Sequence, residues 1–161
     1  YSEGYQLMAS WLGHDGKVPI NHVPYKGGGQ MMTDVIGGRL DGAFIDAAAV
    51  LQMINGGKVR GLAITDGKRD PKFPDMPTMK EVGYADFETY VWTSFYVRSG
   101  TPDAVTQKLA DTVRDALKTP ESKARMAARP GREMNLYTGA MGDFQRAETE
   151  RYKKVIQATG L

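Results

Sequence analysis

The stretch HVPYKGGGQMMTDVIGGRLDGAFID, residues 22–46, constrains the fold of this chain more than any other part of it. An extended approach through Pro24 and Tyr25 enters three consecutive glycines, Gly27–Gly29, and a helical pattern begins at the next residue. The residue before a proline is held in extended geometry, whereas glycine leaves the chain free to turn. This order predicts a strand, a tight turn and a helix in immediate succession.

Strand and helix patterns alternate on both sides of this turn. Apolar or β-branched runs predict strands at 17–23, 42–45 and 59–65. Helical apolar spacing lies between them, and each helical run ends at a glycine that can close a helix, Gly37 in the first and Gly56 in the second. Strands that alternate with helices predict the α/β class, with a parallel-rich sheet flanked by helices.

The second half of the chain has a different composition. The proline-rich segment, residues 66–87, predicts a long surface loop, and the aromatic, β-branched run at 88–97 predicts a strand that crosses between two lobes. Helices follow. Thr101 and Thr119 are each placed as an N-cap before a proline in the first helical position, and a last helix ends before Gly160.

Composition and charge exclude several classes of function. The net charge of +2 arises from 21 basic and 19 acidic residues spread along the chain, so no nucleic-acid or membrane-surface partner is predicted. No apolar run is long enough to cross a bilayer, so no direct membrane insertion is predicted. The chain has no cysteine, and His14 and His22 lack a third ligand at a suitable spacing, so no metal site is predicted.

The glycine loop, Gly27–Gly29, is the main candidate for ligand binding. A glycine-rich turn that opens a helix directs backbone N–H groups outward beside the positive end of the helix dipole, which favours a carboxylate or phosphate. The alternative is that the glycines only make a tight turn. Beside the loop, Lys26 either neutralises an anion or is solvated, and Tyr25 either lines a pocket or packs.

Asp46 is a second candidate, and it has two compatible roles. It follows the buried strand GAFI directly, at the strand end where open α/β sheets bind their ligands. Asp is also a preferred N-cap for the helix that follows. An ionised Asp46 that faces a ligand would favour a donor such as an ammonium or hydroxyl group.

Catalytic patterns are missing from the sequence. There is neither a G-x-S-x-G nucleophile elbow nor a cysteine nucleophile, and the glycine loop lacks the spacing of a phosphate-binding P-loop. A phosphate-using enzyme would also need a catalytic acid or base that no motif supplies. The sequence therefore predicts a binding protein that needs no cofactor, rather than an enzyme.

Four motifs together resemble a known family. HVPYKGGGQMMTDVIGGRLDGAFID, GKVRGLAITDGKR, FPDMPTMKEVGY and SGTPDAVTQKLADTVRDALKTPE occur in the order and spacing of the Bug family, the TctC-like substrate-binding proteins of tripartite tricarboxylate transporters. The resemblance covers essentially the whole chain. It implies a periplasmic-binding-protein-like fold of type II, a Venus flytrap of two α/β lobes, which is exported to the periplasm and captures a small carboxylate for the membrane subunits of such a transporter.

The resemblance also implies that the chain is part of a two-lobe protein. Residues 1–88 correspond to much of the second lobe, and 89–161 correspond to the crossing strand and C-terminal helices of the first lobe. Ser2 falls near a Gly/Ser-rich loop that contributes to the cleft in relatives, although YQLM stands where relatives have His-Leu. The ligand set implied by loop and resemblance is Ser2, Tyr25, Lys26, Gly27, Gly28, Gly29 and Asp46.

A different class of protein shares this two-lobed architecture. The effector-binding domain of a LysR-type transcription regulator is cytoplasmic and acts through a separate DNA-binding winged helix. An upstream signal peptide would favour the transport receptor, and an upstream helix-turn-helix would favour the regulator.

Overall fold

The computed structural model of the chain describes residues 3–89 and 91–161. These residues form two compact units, the first from residues 3–89 and 91 with Lys154–Leu161 and the second from Trp92–Lys153. Within the described ranges there are six helices: α1 Glu3–Gly16, α2 Gly28–Ile36, α3 Ala47–Asn55, α4 Asp103–Lys118, α5 Pro120–Ala127 and α6 Gly139–Thr159.

Local glycine signals set the ends of the two short helices, as the sequence predicts. Helix α2 begins at the glycine loop and has Gly37 as its C-cap, and the next residue, Gly38, has a φ of 69°. Helix α3 has Gly56 as its C-cap, and Gly57 follows with a φ of 66°. Glycine adopts this left-handed conformation without the cost that a Cβ atom imposes. The predicted glycine stops are confirmed.

The two Thr-Pro signals have different outcomes. Thr119 caps α5 by accepting a hydrogen bond from the Ser122 backbone N–H at 3.3 Å, so this prediction is confirmed. The N-cap prediction for Thr101 is wrong by one residue, because Pro102 occupies the N-cap of α4. The Thr101 hydroxyl instead donates to the backbone oxygen of Arg98 at 2.7 Å.

The core of the first unit is built around Phe87, which is 1% exposed. Its ring stacks on Trp11 of α1 with a centroid separation of 4.5 Å. Phe44 stacks at 6.1 Å and Tyr84 meets the ring edge-on at 6.5 Å. The buried members of this cluster are Met8, Trp11, Met79, Phe87 and Val155. Residues far apart in sequence therefore share one apolar centre.

The proline-rich segment, residues 66–87, is tied down by an ion pair. Arg69 Nε donates to both carboxylate oxygens of Glu81, at 3.1 and 3.0 Å, and Arg69 Nη1 donates to the Pro74 backbone oxygen at 2.9 Å. The Thr78 backbone N–H donates to Glu81 Oε2 at 2.7 Å. The hydrogen bond from Arg69, followed by that from Thr78, lowers the pKa of Glu81 to about 2. Phe73 within this segment is buried.

The predicted strands do not form a regular ladder in the part of the chain that the structure describes. Pairing among the described residues consists of one parallel bridge between Ile64 and Thr78, made by Ile64 N–H to Pro77 oxygen at 2.8 Å and Met79 N–H to Ile64 oxygen at 2.9 Å. A further bond joins two predicted strands, from Thr89 N–H to Thr65 oxygen at 2.9 Å. A strand needs a hydrogen-bonded neighbour, and an unpaired extended segment leaves its backbone groups to solvent. The parallel sheet therefore stays a prediction, and Tyr90, in the predicted crossing strand, lies outside the described residues.

The second unit contains α4, α5 and most of α6. Trp92 meets Phe144 of α6 edge-on at 5.7 Å, and the Arg114 guanidinium of α4 lies 4.5 Å from the Tyr137 ring centroid. By contrast, Phe95 is 74% exposed.

The assignment of 1–88 and 89–161 to parts of two lobes stays a prediction. No helix in the described ranges is long and apolar enough to cross a membrane.

Replacing Phe87 with alanine should destabilise the first unit strongly. The substitution removes the ring that contacts Trp11, and truncating a fully buried Phe costs about 3–5 kcal/mol. Phe95→Ala is the matched control, because the same change at an exposed side chain should stay within about 0.5 kcal/mol. Guanidinium unfolding followed by circular dichroism measures both values. Equal midpoints for the two variants would contradict the central role of Phe87.

Candidate functional site

The N-terminus of α2 lacks a side-chain cap. Gly27 is its N-cap residue, no side chain accepts a hydrogen bond from the first turn, and that turn contains no acidic residue. By comparison, Asp46 caps α3 and Thr119 caps α5, whereas α4 also lacks a side-chain cap but has the acidic Asp103 in its first turn. The first backbone N–H groups of a helix have no partner within the helix. At α2 these groups are therefore available to an external acceptor.

The described fold does not itself require glycine at this loop. Gly27 has φ −171° and ψ 157°, an extended conformation that any residue adopts, and none of Gly27–Gly29 lies in the left-handed region. A Cβ atom added at Gly27 or Gly29 would meet nothing within 4 Å, whereas one at Gly13 would come within 2.9 Å of the Val18 oxygen. The space beside the loop is open. Glycines here leave the backbone accessible from that side.

Tyr25 is anchored to the helix that follows the loop. Its hydroxyl donates to Asp34 Oδ2 of α2 at 2.7 Å, and Arg39 Nη1 donates to Asp34 Oδ1 at 2.6 Å. The hydrogen bond to Asp34 raises the pKa of Tyr25, and the hydrogen bonds from Tyr25 and then Arg39 lower the pKa of Asp34. Near neutral pH, the tyrosine therefore remains a donor and the carboxylate an acceptor. This contact fixes the position of the Tyr25 hydroxyl, and the ligand-binding role of Tyr25 stays a prediction.

Sequence reasoning did not find Asp34 or Arg39. Asp34 lies nine positions after Tyr25, and no motif links an acidic residue within a short helix to a preceding tyrosine at that separation. Arg39 lies beyond the end of α2 and its side chain is 74% exposed, so its sequence context is that of an ordinary surface cation. The turn at the glycine loop brings Tyr25 to Asp34, and the turn after α2 brings Arg39 to it.

The remaining predicted site residues have separate positions. Lys26 is exposed on the loop itself. Asp46 is exposed at the N-terminus of α3, and its Oδ1 accepts a hydrogen bond from the Ala48 backbone N–H at 2.8 Å. The N-cap role of Asp46 is confirmed, and a ligand-binding role stays a prediction. Ser2 lies outside the described residues. No group of three or more potential metal ligands occurs in 3–89 or 91–161.

Comparisons with known proteins match nearly the whole chain. A family model described as tripartite tricarboxylate transporter family receptor matches residues 2–161. The "UPF0065 protein in the TAR-I ttuE-ttuC' intergenic region" of Agrobacterium vitis is 35% identical over 144 residues, which are 88% of this chain and 42% of that protein.

Two solved structures are also similar, each at 27% identity and over 97% of this chain. The structure of R. palustris Rpa4515 with adipate has a TM-score of 0.81, and 52% of it is covered. The structure of the periplasmic binding protein BugD has a TM-score of 0.80, and 53% of it is covered. The chain thus spans about half the length of these relatives.

Alanine at Gly29 should leave stability unchanged or slightly raised, whereas alanine at Gly27 should cost less than about 1 kcal/mol, because alanine is a poorer N-cap than glycine. Both positions have open space and a backbone that alanine adopts, and alanine reduces the freedom of the unfolded chain. Gly38→Ala is the matched control: it also has open space, but its φ of 69° should cost about 1–2 kcal/mol. Thermal unfolding of the three alanine variants measures these differences in stability. A loss at Gly27 or Gly29 as large as that at Gly38 would show that the fold requires these glycines.

Proposed function

Since the chain belongs to the tripartite tricarboxylate transporter receptor family, we propose that it is part of a periplasmic receptor that captures a small carboxylate for a transporter of that type. The family match confirms the resemblance drawn from the sequence motifs. Its members and the structural neighbours of this chain are substrate-binding proteins rather than enzymes. The LysR-type alternative loses its basis, because it depended only on shared architecture.

The open, uncapped N-terminus of α2 is the observation that carries this proposal. Its backbone N–H groups and the positive end of the helix dipole would bind one carboxylate of the ligand, with exposed Lys26 nearby in sequence. A helix terminus contributes about 0.3–1 kcal/mol when exposed and up to roughly 2 kcal/mol when partly buried. Such a term alone gives weak binding, so other parts of the full-length protein must supply further contacts.

The proposed architecture is a Venus flytrap of two lobes, with a parallel-rich sheet in each lobe. Similarity to BugD, a periplasmic binding protein, supports both this fold and a periplasmic location. In this arrangement 1–88 belong to the second lobe and 89–161 to the crossing strand and helices of the first. The partners are the carboxylate and the membrane subunits of the transporter, without nucleic acid or cofactor.

The ligand class includes di- and tricarboxylates, amino or hydroxy acids and aromatic acids. The Rpa4515 structure with adipate, a dicarboxylate, supports an acid with two charged ends. Asp46 favours a different member of the class. Its Oδ1 caps α3, and its other oxygen would repel a second carboxylate by about 1 kcal/mol or more at contact. An ammonium or hydroxyl group at that end of the ligand would be attracted instead.

A bulky side chain in the glycine loop should weaken carboxylate binding. We expect Gly29→Leu in the full-length protein to raise the dissociation constant of the tightest-binding acid among adipate, citrate, malate, glutamate and benzoate by about fivefold to thirtyfold. Gly42→Leu is the control, because a Cβ atom there also meets nothing within 4 Å but lies outside the loop. Isothermal titration calorimetry measures both. Unchanged affinity in Gly29→Leu would make the loop structural only.

Replacing Asp46 with asparagine should change the ranking of acids. Asparagine caps a helix as well as aspartate does, so the fold is preserved while the charge is lost. We expect malate and glutamate to lose affinity relative to adipate by about fivefold or more. A thermal-shift screen of the full-length protein with these acids measures the ranking. An identical ranking in the variant would sink the donor hypothesis and leave Asp46 as a cap.

A further inference from the structure

The Asp34 carboxylate joins the segment before α2 to the segment after it. Oδ2 accepts from the Tyr25 hydroxyl at 2.7 Å, and Oδ1 accepts from Arg39 at 2.6 Å. The backbone oxygen of Asp34 also accepts from the Arg39 N–H at 2.9 Å and from the Leu40 N–H at 3.4 Å. One residue in the body of the helix therefore fixes the chain on both sides of it.

The two side-chain contacts of Asp34 differ in their exposure to solvent. The Asp34 side chain is 18% exposed, whereas that of Arg39 is 74% exposed. An ion pair with a solvated guanidinium contributes little, because water screens it and the long side chain loses freedom. The Tyr25 hydrogen bond is partly buried, and its donor is a rigid ring with few rotatable bonds. Tyr25 is therefore the partner through which Asp34 restrains the chain.

This restraint acts on the glycine-rich part of the candidate site. Tyr25 and Asp34 are nine positions apart, and the glycine loop lies between them. Glycine loses more backbone freedom on ordering than any other residue, so a loop of glycines is costly to hold in one conformation. A ligand that had to order this loop would bind more weakly than one that met it already ordered.

We propose that Asp34 is a positioning residue for ligand binding: through the Tyr25 hydroxyl it holds the glycine loop in its carboxylate-accepting conformation before the ligand arrives. This inference rests on the proposed function. It assigns no ligand contact to Asp34 itself. The directions of the pKa shifts agree with it, because they keep Tyr25 protonated and Asp34 ionised near neutral pH.

Hydrogen exchange of the ligand-free, full-length protein tests the positioning step on its own. We expect Tyr25→Phe and Asp34→Ala to speed amide exchange at 31–33, whose N–H groups bond within α2 to the carbonyls of the glycine loop, by about threefold to tenfold, which corresponds to the loss of one hydrogen bond. Asp34→Asn keeps an oxygen that can accept from Tyr25, so its exchange should stay slow. Arg39→Ala is the matched control and should also stay slow. Unchanged exchange in both Tyr25→Phe and Asp34→Ala would overturn the proposal.

Calorimetric titration of the same variants with adipate, citrate, malate, glutamate and benzoate then links the restraint to binding. For the tightest-binding acid, Asp34→Ala should raise the dissociation constant by about threefold to tenfold, whereas Asp34→Asn should keep the dissociation constant of the unchanged protein. In a Tyr25→Phe background, Asp34→Ala should cause no further increase in the dissociation constant. Full additivity of the two changes would overturn the route through Tyr25. If none of these acids bound, the proposed function would fail, while the exchange result would still decide the positioning role.

Discussion

The stacking of Phe87 on Trp11 is the contact on which the first unit depends. Phe87 is the last residue of the proline-rich segment, whereas Trp11 lies in α1, the first helix of the chain. Phe44, which stacks on the same ring, lies two positions before the N-cap of α3. The position of Asp46, the N-cap residue of α3, thus depends on a buried aromatic cluster. The Asp46 side chain is exposed, but the apolar contact of Phe44 positions it.

Helix ends in this chain follow from short-range signals, and for that reason the sequence predicts most of them. Gly37 and Gly56 end their helices, and such glycine C-caps depend only on the adjacent turn of the chain. Thr119 caps α5 for the same local reason. Thr101 differs because α4 begins one residue later than the Thr-Pro signal predicts, with Pro102 at the N-cap. The bond from the Thr101 hydroxyl to the Arg98 oxygen does not explain the shift, since Thr119 makes the same bond to the Ala116 oxygen and still caps α5.

Contacts between distant residues are the part that sequence reasoning could not supply. The sequence predicts the glycine loop and Asp46 as candidates because each is marked by its own neighbours in sequence. It does not predict the Tyr25–Asp34 hydrogen bond, since this bond exists only after the loop has turned. Strand pairing has the same difficulty: the bridge between Ile64 and Thr78 joins segments whose register no local pattern determines. Four local motifs in a fixed order predict the family, and the family match over residues 2–161 confirms it.

The proline-rich segment, residues 66–87, has a consequence for resistance to proteases. It contains several basic residues of the kind that trypsin cleaves beside, and its sequence has the composition of an exposed loop. Arg69, itself one of these residues, is held by Glu81 and by the Pro74 oxygen. Buried Phe73 anchors the backbone within the segment, and buried Phe87 anchors it at the end of the segment. A protease must fit an extended stretch of chain into its cleft, so cutting here requires opening the Arg69–Glu81 pair and extracting at least one ring from the core.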